Sequence, residues 1–245
     1  MRTGLAAFLC AALLLSPGPA AAQNIGEAEI IVTGSRIRSS DFDSVTVVET
    51  RPPAVGLKRL ADFAVLAVTI VGDTRDEKKR RDEIFGMVKK AIELAGRRGG
   101  IELATGQFVV EPLTLANYRN LEIEEDDDRE DVEQVSFLVK TRLSAGMDAE
   151  AALERIEAFV KAVPAVGRAE MEKEGDLTLS VVGPDQYRAA ILDLVAADAR
   201  ATSVRLGPAY AVRADGLDRP VEWTRASLTE VYLYVPYSYS VVPAR

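Results

Sequence analysis

Phe63-Ala64-Val65-Leu66-Ala67-Val68-Thr69-Ile70-Val71 is the stretch on which the fold turns. The run is almost unbroken in apolar character, rich in valine and isoleucine, and closed by Gly72-Asp73. A segment of that length, apolar on both faces and stopped by turn residues, predicts a central β-strand covered on both sides. A helix is expected next. Thr74 and Glu77 stand at capping-box spacing, where hydroxyl and carboxylate satisfy free backbone N–H groups. Ile84, Val88, Ala91, Ile92 and Ala95 recur every three or four residues and share one face. Gly96 and Gly99-Gly100 stop the helix, and Ile101 to Ala104 and Gln107 to Val110 read as strands ended by Pro112. Tyr118 to Ile123 reads as one more short strand.

The pattern then repeats. In Val132 to Leu143 the residues Val135, Phe137, Val139 and Thr141 alternate with more polar neighbours, as in a long strand. Asp148 to Lys161 carries Ala149, Ala152, Leu153, Ile156 and Val160 at helical spacing. Val166 to Lys173 and Leu177 to Val182 read as a hairpin turning at Glu174-Gly175-Asp176. A third helix opens at Gly183-Pro184, where proline suits the first turn because its missing N–H would have no partner. Tyr187, Ile191, Leu194 and Val195 form its apolar stripe, and Gly207-Pro208 closes it. Ala209 to Arg213, Val221 to Thr224 and Glu230 to Val242 supply the last strands. The expected fold class is α+β: two βαββ-type units, residues 61–131 and 132–245, with helices packed on mainly antiparallel sheets.

Upstream, Met1-Arg2 and the apolar run Gly4 to Leu15 precede Ser16-Pro17-Gly18 and Ala20-Ala21-Ala22. Such a sequence is expected to be a secretory signal over residues 1–22. The apolar run is shorter than the roughly 20 residues a spanning helix needs. Residues 23–60 are expected to hold an N-terminal strand, Glu29 to Thr33, then the polar segment Ser35 to Asp43 and a weaker strand at Ser44 to Glu49. Periplasmic residence follows, with no membrane span in the exported chain.

Composition removes several chemistries. The sequence has no histidine, and its one cysteine, Cys10, lies inside the expected signal. The exported part therefore has no material for a Ser-His-Asp triad, a Cys-His nucleophile, a disulfide or a typical zinc site. With 30 basic and 38 acidic residues the net charge is −8, which makes nucleic acid a poor partner because no counterion release favours it. No catalytic residue, cofactor site or metal-ligand set is nominated.

Ile30-Ile31-Val32-Thr33-Gly34, the strand Ala64 to Val71, the helix Asp76 to Gly96, the run Gly183-Pro184-Asp185-Gln186-Tyr187-Arg188-Ala189-Ala190 and the stretch Ala196 to Ala201 together resemble the SIMPL-domain family. The resemblance implies a bacterial periplasmic or outer-membrane-associated protein linked, as some members are, to envelope stress, with some members resembling ring-forming, channel-like assemblies, and with no catalytic residues to carry over. A homo-oligomer or an envelope protein partner is implied. Glu29 to Ile37 also resembles a segment near the N-terminus of TonB-dependent outer-membrane receptors. That likeness implies a docking peptide in which Ile30, Ile31, Val32 and Thr33 add a strand to a partner's sheet edge. Strand of the domain and docking peptide both stand as readings of these residues.

Three further constellations invite a role. Glu122, Glu124, Glu125, Asp126, Asp127, Asp128, Glu130 and Asp131 offer hard oxygen ligands for calcium, against the alternative of an extended solvated loop. In Val231 to Val241, Tyr232, Tyr234 and Tyr237 are candidate interface residues, and Pro236 suggests an edge strand or a bulge. The competing reading packs Tyr232 and Tyr234 beneath a helix. Lys78-Lys79-Arg80-Arg81 reads as a solvated helix face, and Trp223 as a packing anchor. A carboxylate-based hydrolase is the remaining functional class.

Overall fold

The structure, a computed structural model, describes residues 28–32, 52–107, 109–126 and 129–244. The signal segment, the polar segment 35–43, the strand expected at 44–49, Thr33, Asp127 and Asp128 lie outside the described residues.

The run that begins at Phe63 is the strand β3 (Phe63–Gly72), and it is central, as its apolar character requires. It pairs antiparallel with β7 (Arg129–Arg142) on one edge and with β8 (Glu170–Val182) on the other. From β8 the ladder continues through β1 (Glu29–Val32), β5 (Val109–Pro112) and β4 (Glu102–Thr105), and β4 returns to β7. Six strands thus close into a barrel. A three-residue strand, β6 (Glu124–Asp126), extends from the free part of β7.

The two faces of these strands differ because their side chains alternate. Leu66, Val68 and Ile70 of β3 and Val135, Phe137 and Val139 of β7 point outward to α1 (Glu77–Arg98) and α2 (Ala149–Val160). Ile84, Val88 and Ala91 of α1 and Ile156 and Phe159 of α2 complete that cluster, all nearly water-free. A second cluster packs Ile30 and Val32 of β1 and Leu179 and Val181 of β8 against Ile191 and Val195 of α3 (Arg188–Leu206). Trp223, Val231 and Leu233 join it from a small sheet of β10 (Glu222–Arg225), β11 (Glu230–Tyr234) and β2 (Leu57–Leu60). The remaining pair, β9 (Tyr210–Asp215) and β12 (Ser238–Pro243), forms a separate two-stranded sheet beside α3.

This architecture corrects the α+β expectation of two βαββ-type units. The helices do lie on antiparallel strands, but β3 and β4 of the first stretch pair with β7 and β8 of the second, so neither stretch builds the main sheet by itself. A strand buried on both faces satisfies closure into a barrel as well as a covered open sheet, and local pattern does not distinguish them. Glu174-Gly175-Asp176 is likewise not a hairpin turn. It is a bulge in one continuous strand, with Ala67 opposite Glu174 and Val65 opposite Thr178, and Gly175 takes the positive φ of 65° that the kink needs.

Smaller departures have local causes. The α1 cap is Asp76, whose side chain accepts from the Lys79 N–H at 2.8 Å, while Thr74 is drawn elsewhere. The segment expected as a strand at 118–123 is a short 3₁₀ turn at Tyr118–Asn120. A 3₁₀ turn at Pro184–Tyr187 precedes α3. The C-terminal run is broken at Pro236 into β11 and β12, which join different sheets.

Candidate functional site

Inside the barrel, on the face opposite the helices, three polar side chains converge. Glu29 of β1 accepts a hydrogen bond from Ser180 Oγ at 2.5 Å through one oxygen and from Lys140 Nζ through the other. Lys140 lies 3.3 Å from Glu102 Oε2 and 4.1 Å above the Phe63 ring, a favourable place for a cation. Arg142, two residues along β7 and so on the same face, stacks on that ring at 4.6 Å. Lys140 and Ser180 are buried and Glu29 nearly so. The carboxylate holds both donors, and Ser180 is wholly buried, so the grouping registers β1 against β7 and β8 and presents no nucleophile to solvent.

A second ionic cluster sits where α1 begins. Glu133 of β7 accepts from Arg80 Nε at 2.8 Å and from Arg81 Nε at 2.9 Å. Arg80 also donates to the Thr74 carbonyl at 2.9 Å. Burial alone would raise the Glu133 carboxyl; the two guanidinium hydrogen bonds overcome it and hold the group below its usual value. Beside it, Glu83 accepts from Thr74 Oγ1 at 2.6 Å and from the Arg168 N–H at 3.1 Å, which lowers its pKa. Arg168 forms a bidentate pair with Asp73 at 2.7 and 2.6 Å, lowering the aspartate and raising the arginine. The cluster ties the β3–α1 turn, the start of β7 and the 166–169 turn together.

The sequence missed this cluster, reading Lys78 to Arg81 as solvated. The signal was present: Arg80 precedes Ile84 by four residues and so lies on the buried stripe, and Glu133 is two residues before Val135 on the helix-facing alternation. Apolar periodicity was followed only through apolar residues.

Of the candidate interface residues, Tyr234 is 3% exposed and belongs to the middle strand of its small sheet. Tyr232 is half-buried, stacked on Tyr234 at 5.9 Å, with its hydroxyl donating to the Pro53 carbonyl at 2.9 Å. Tyr237 packs on Tyr239 at 4.9 Å. Of the candidate docking strand, Ile30 and Val32 are buried in the barrel wall and Ile31 is half-buried. Trp223 is buried in the second core, as an anchor should be. The acidic run, expected as a solvated loop or a calcium site, builds β6 and the start of β7, with Glu125 opposite Glu133 and Gln134 donating to Glu124 at 3.2 Å. Among the described residues no group of three or more His, Cys, Asp or Glu is placed to hold a metal ion.

The most distinctive surface lies elsewhere. Only Ile191 and Val195 of α3 are buried, and no residue of β9 or β12 is. Leu194, Val204, Leu206, Tyr210 and Val241, all on these three elements, are five of the nine large apolar side chains exposed among the described residues. Val204 is 81% exposed. The Tyr239 hydroxyl of β12 donates to the Val195 carbonyl of α3 at 2.8 Å, and Ser203 Oγ of α3 donates to the Tyr210 carbonyl of β9 at 3.3 Å. Two-stranded sheets are marginal without support, and clustered apolar exposure marks interaction surfaces.

No family model matches the sequence, and no curated protein matches it. Among solved structures the chain is similar to an uncharacterized conserved protein from Listeria innocua, at 13% identity over 76% of this chain and 94% of that one. It is also similar to a hydrolase from Listeria innocua, at 12% identity over 77% and 94%. The TM-score is 0.16 for each, so neither bears on function. No helix among the described residues is long and apolar enough to cross a membrane.

Proposed function

We propose that this protein is a non-enzymatic scaffold or interaction protein of the cell envelope that assembles through the surface made by α3, β9 and β12. The supporting observation is that five exposed large apolar side chains lie on α3, β9 and β12, while the buried charged groups Arg80, Glu83, Glu133 and Lys140 are each engaged by a partner. The compartment rests on the secretory character of residues 1–22, and the link to envelope stress on the SIMPL resemblance. In the docking alternative, Glu29 to Val32 would first have to leave the barrel wall, where β1 is hydrogen-bonded on both edges.

Size-exclusion chromatography with light scattering on the exported protein tests the reading. The expected result is an oligomer that Val204→Asp together with Tyr210→Asp reduces to monomer without loss of helix signal in circular dichroism. A wild-type protein that stays monomeric at micromolar concentration would overturn it.

A further inference from the structure

The barrel is closed by its smallest contributor. Strand β1 has four residues, pairs with β8 along all of them and meets β5 at two positions, yet without it β8 and β5 share no ladder. It is the first described element, so no other described element has to be threaded for β1 to leave or enter. Residues 33–56 then separate it from β2, the longest connection between successive described elements. By contrast, β4 and β5 are joined by residues 106–108 and β10 and β11 by residues 226–229.

We propose that β1 is an exchangeable closing strand: Glu29–Val32 of a second copy fills the slot between β8 and β5, and two copies close each other's barrels. The contacts are the same whichever copy supplies the strand, so only chain connection favours the intramolecular form. That advantage falls as the number of residues between strand and body grows, and 24 residues, 33–56, stand between β1 and β2. A swap is the low-cost route to a dimer in that situation. The slot also selects its occupant. Lys140 and Ser180 both donate to the one carboxylate that β1 carries, so an apolar strand lacking an acid at that register leaves Lys140 with Glu102 alone. Every copy of this chain brings a matching Glu29. The inference rests on the self-assembly reading, because contact through α3 and β9/β12 raises the local concentration of the second strand.

The test uses the full chain with Cys10→Ser, so that added thiols are the only ones. Ile30 lies directly opposite Val181 in the ladder. Ile30→Cys and Val181→Cys are made in separate chains, mixed, and oxidised. The exchange predicts a disulfide-linked heterodimer from the mixture and a covalent dimer as the main product of the chain bearing both cysteines. No cross-link in the mixture, with only monomeric disulfide from the double variant, overturns it. If the cysteine variants do not fold, Glu29→Lys and Lys140→Glu chains are combined and examined by native mass spectrometry. A one-to-one heterodimer, in which each strand meets its opposite charge, supports exchange; two uncombined monomers refute it. A wild-type oligomer with only intramolecular disulfide sinks the exchange and leaves the assembly reading intact, whereas a monomer under all conditions sinks both.

Discussion

Arg80 and Glu133 meet at 2.8 Å beneath the first turn of α1, where their side chains are 6% and 2% exposed. An ion pair so deprived of water is weak evidence of net stability, because desolvation opposes the attraction, but removing one partner leaves the other buried and uncompensated. The pair matters as a positional device. It connects a helix residue to a strand 53 positions later and fixes how far along β7 the helix begins.

Glu133→Gln should therefore cost about 3–5 kcal/mol, the range for a broken buried pair, read as a lower urea midpoint. The double change Arg80→Met with Glu133→Leu should recover most of it, since apolar replacement of both partners is often neutral or better. A double variant no more stable than the single would argue against the desolvation account.

Acid should loosen the same region. Glu133, Glu83 and Asp73 all titrate lower in the folded chain than their ordinary values of 4.5, 4.5 and 3.8. Between folded and ordinary values the unfolded chain binds more protons, so stability falls as pH falls. Their contribution is whole above about pH 4.5 and is lost as pH drops through the folded values. Urea midpoints measured from pH 7 to pH 3 should decline, and Glu133→Gln should make the decline shallower.

Alkali acts through the tyrosines with the opposite sign. Burial, followed by the nearby Glu222 carboxylate, pushes Tyr234 up to about 12, and burial also raises Tyr187, Tyr232 and Tyr239. The unfolded chain gives up these protons near 10, so stability is present below that pH and is lost as pH rises above it. Phenolate absorbance should show fewer than the seven tyrosines ionised at pH 11 while the protein stays folded. Tyr234→Phe should remove a step near 12.

Gly167→Ala should be more damaging than Gly99→Ala, although both glycines have positive φ, 59° and 66°. A side chain at Gly167 would come within 2.1 Å of the Glu83 carboxyl, which Thr74 and the Arg168 N–H hold in place, whereas nothing lies within 4 Å of the corresponding position at Gly99. Gly99→Ala should cost about 1–3 kcal/mol of backbone strain, and Gly167→Ala that amount plus the clash. Thermal midpoints compare them directly, and equal losses would remove the steric argument.

Local pattern carried a good deal. Period-two alternation in Val135 to Thr141, the apolar run from Phe63 and the three- and four-residue spacing of Ile84, Val88 and Ala91 identified β3, β7 and α1, because burial on one face leaves its period in the sequence. Trp223 as a core residue follows from the same local chemistry. The reading failed where one residue type serves two purposes. A glycine between acids marks a turn or a bulge equally well, and four basic residues on a helix look solvated until one falls on the apolar stripe.

The amino-acid sequence alone located most of the strands and helices, though not β2 or the continuity of β8, set the period by which their side chains face the core, and left histidine absent and cysteine confined to Cys10. Tertiary structure alone decided that β3 bonds to β7 and β8, that the four residues of β1 close the ring, and that Glu29 meets Lys140 across 111 positions of chain. The physical reason is range. Periodicity and capping act within a few residues, while the choice of a strand's neighbours depends on which distant edges and buried charges can be satisfied together in one closed ladder.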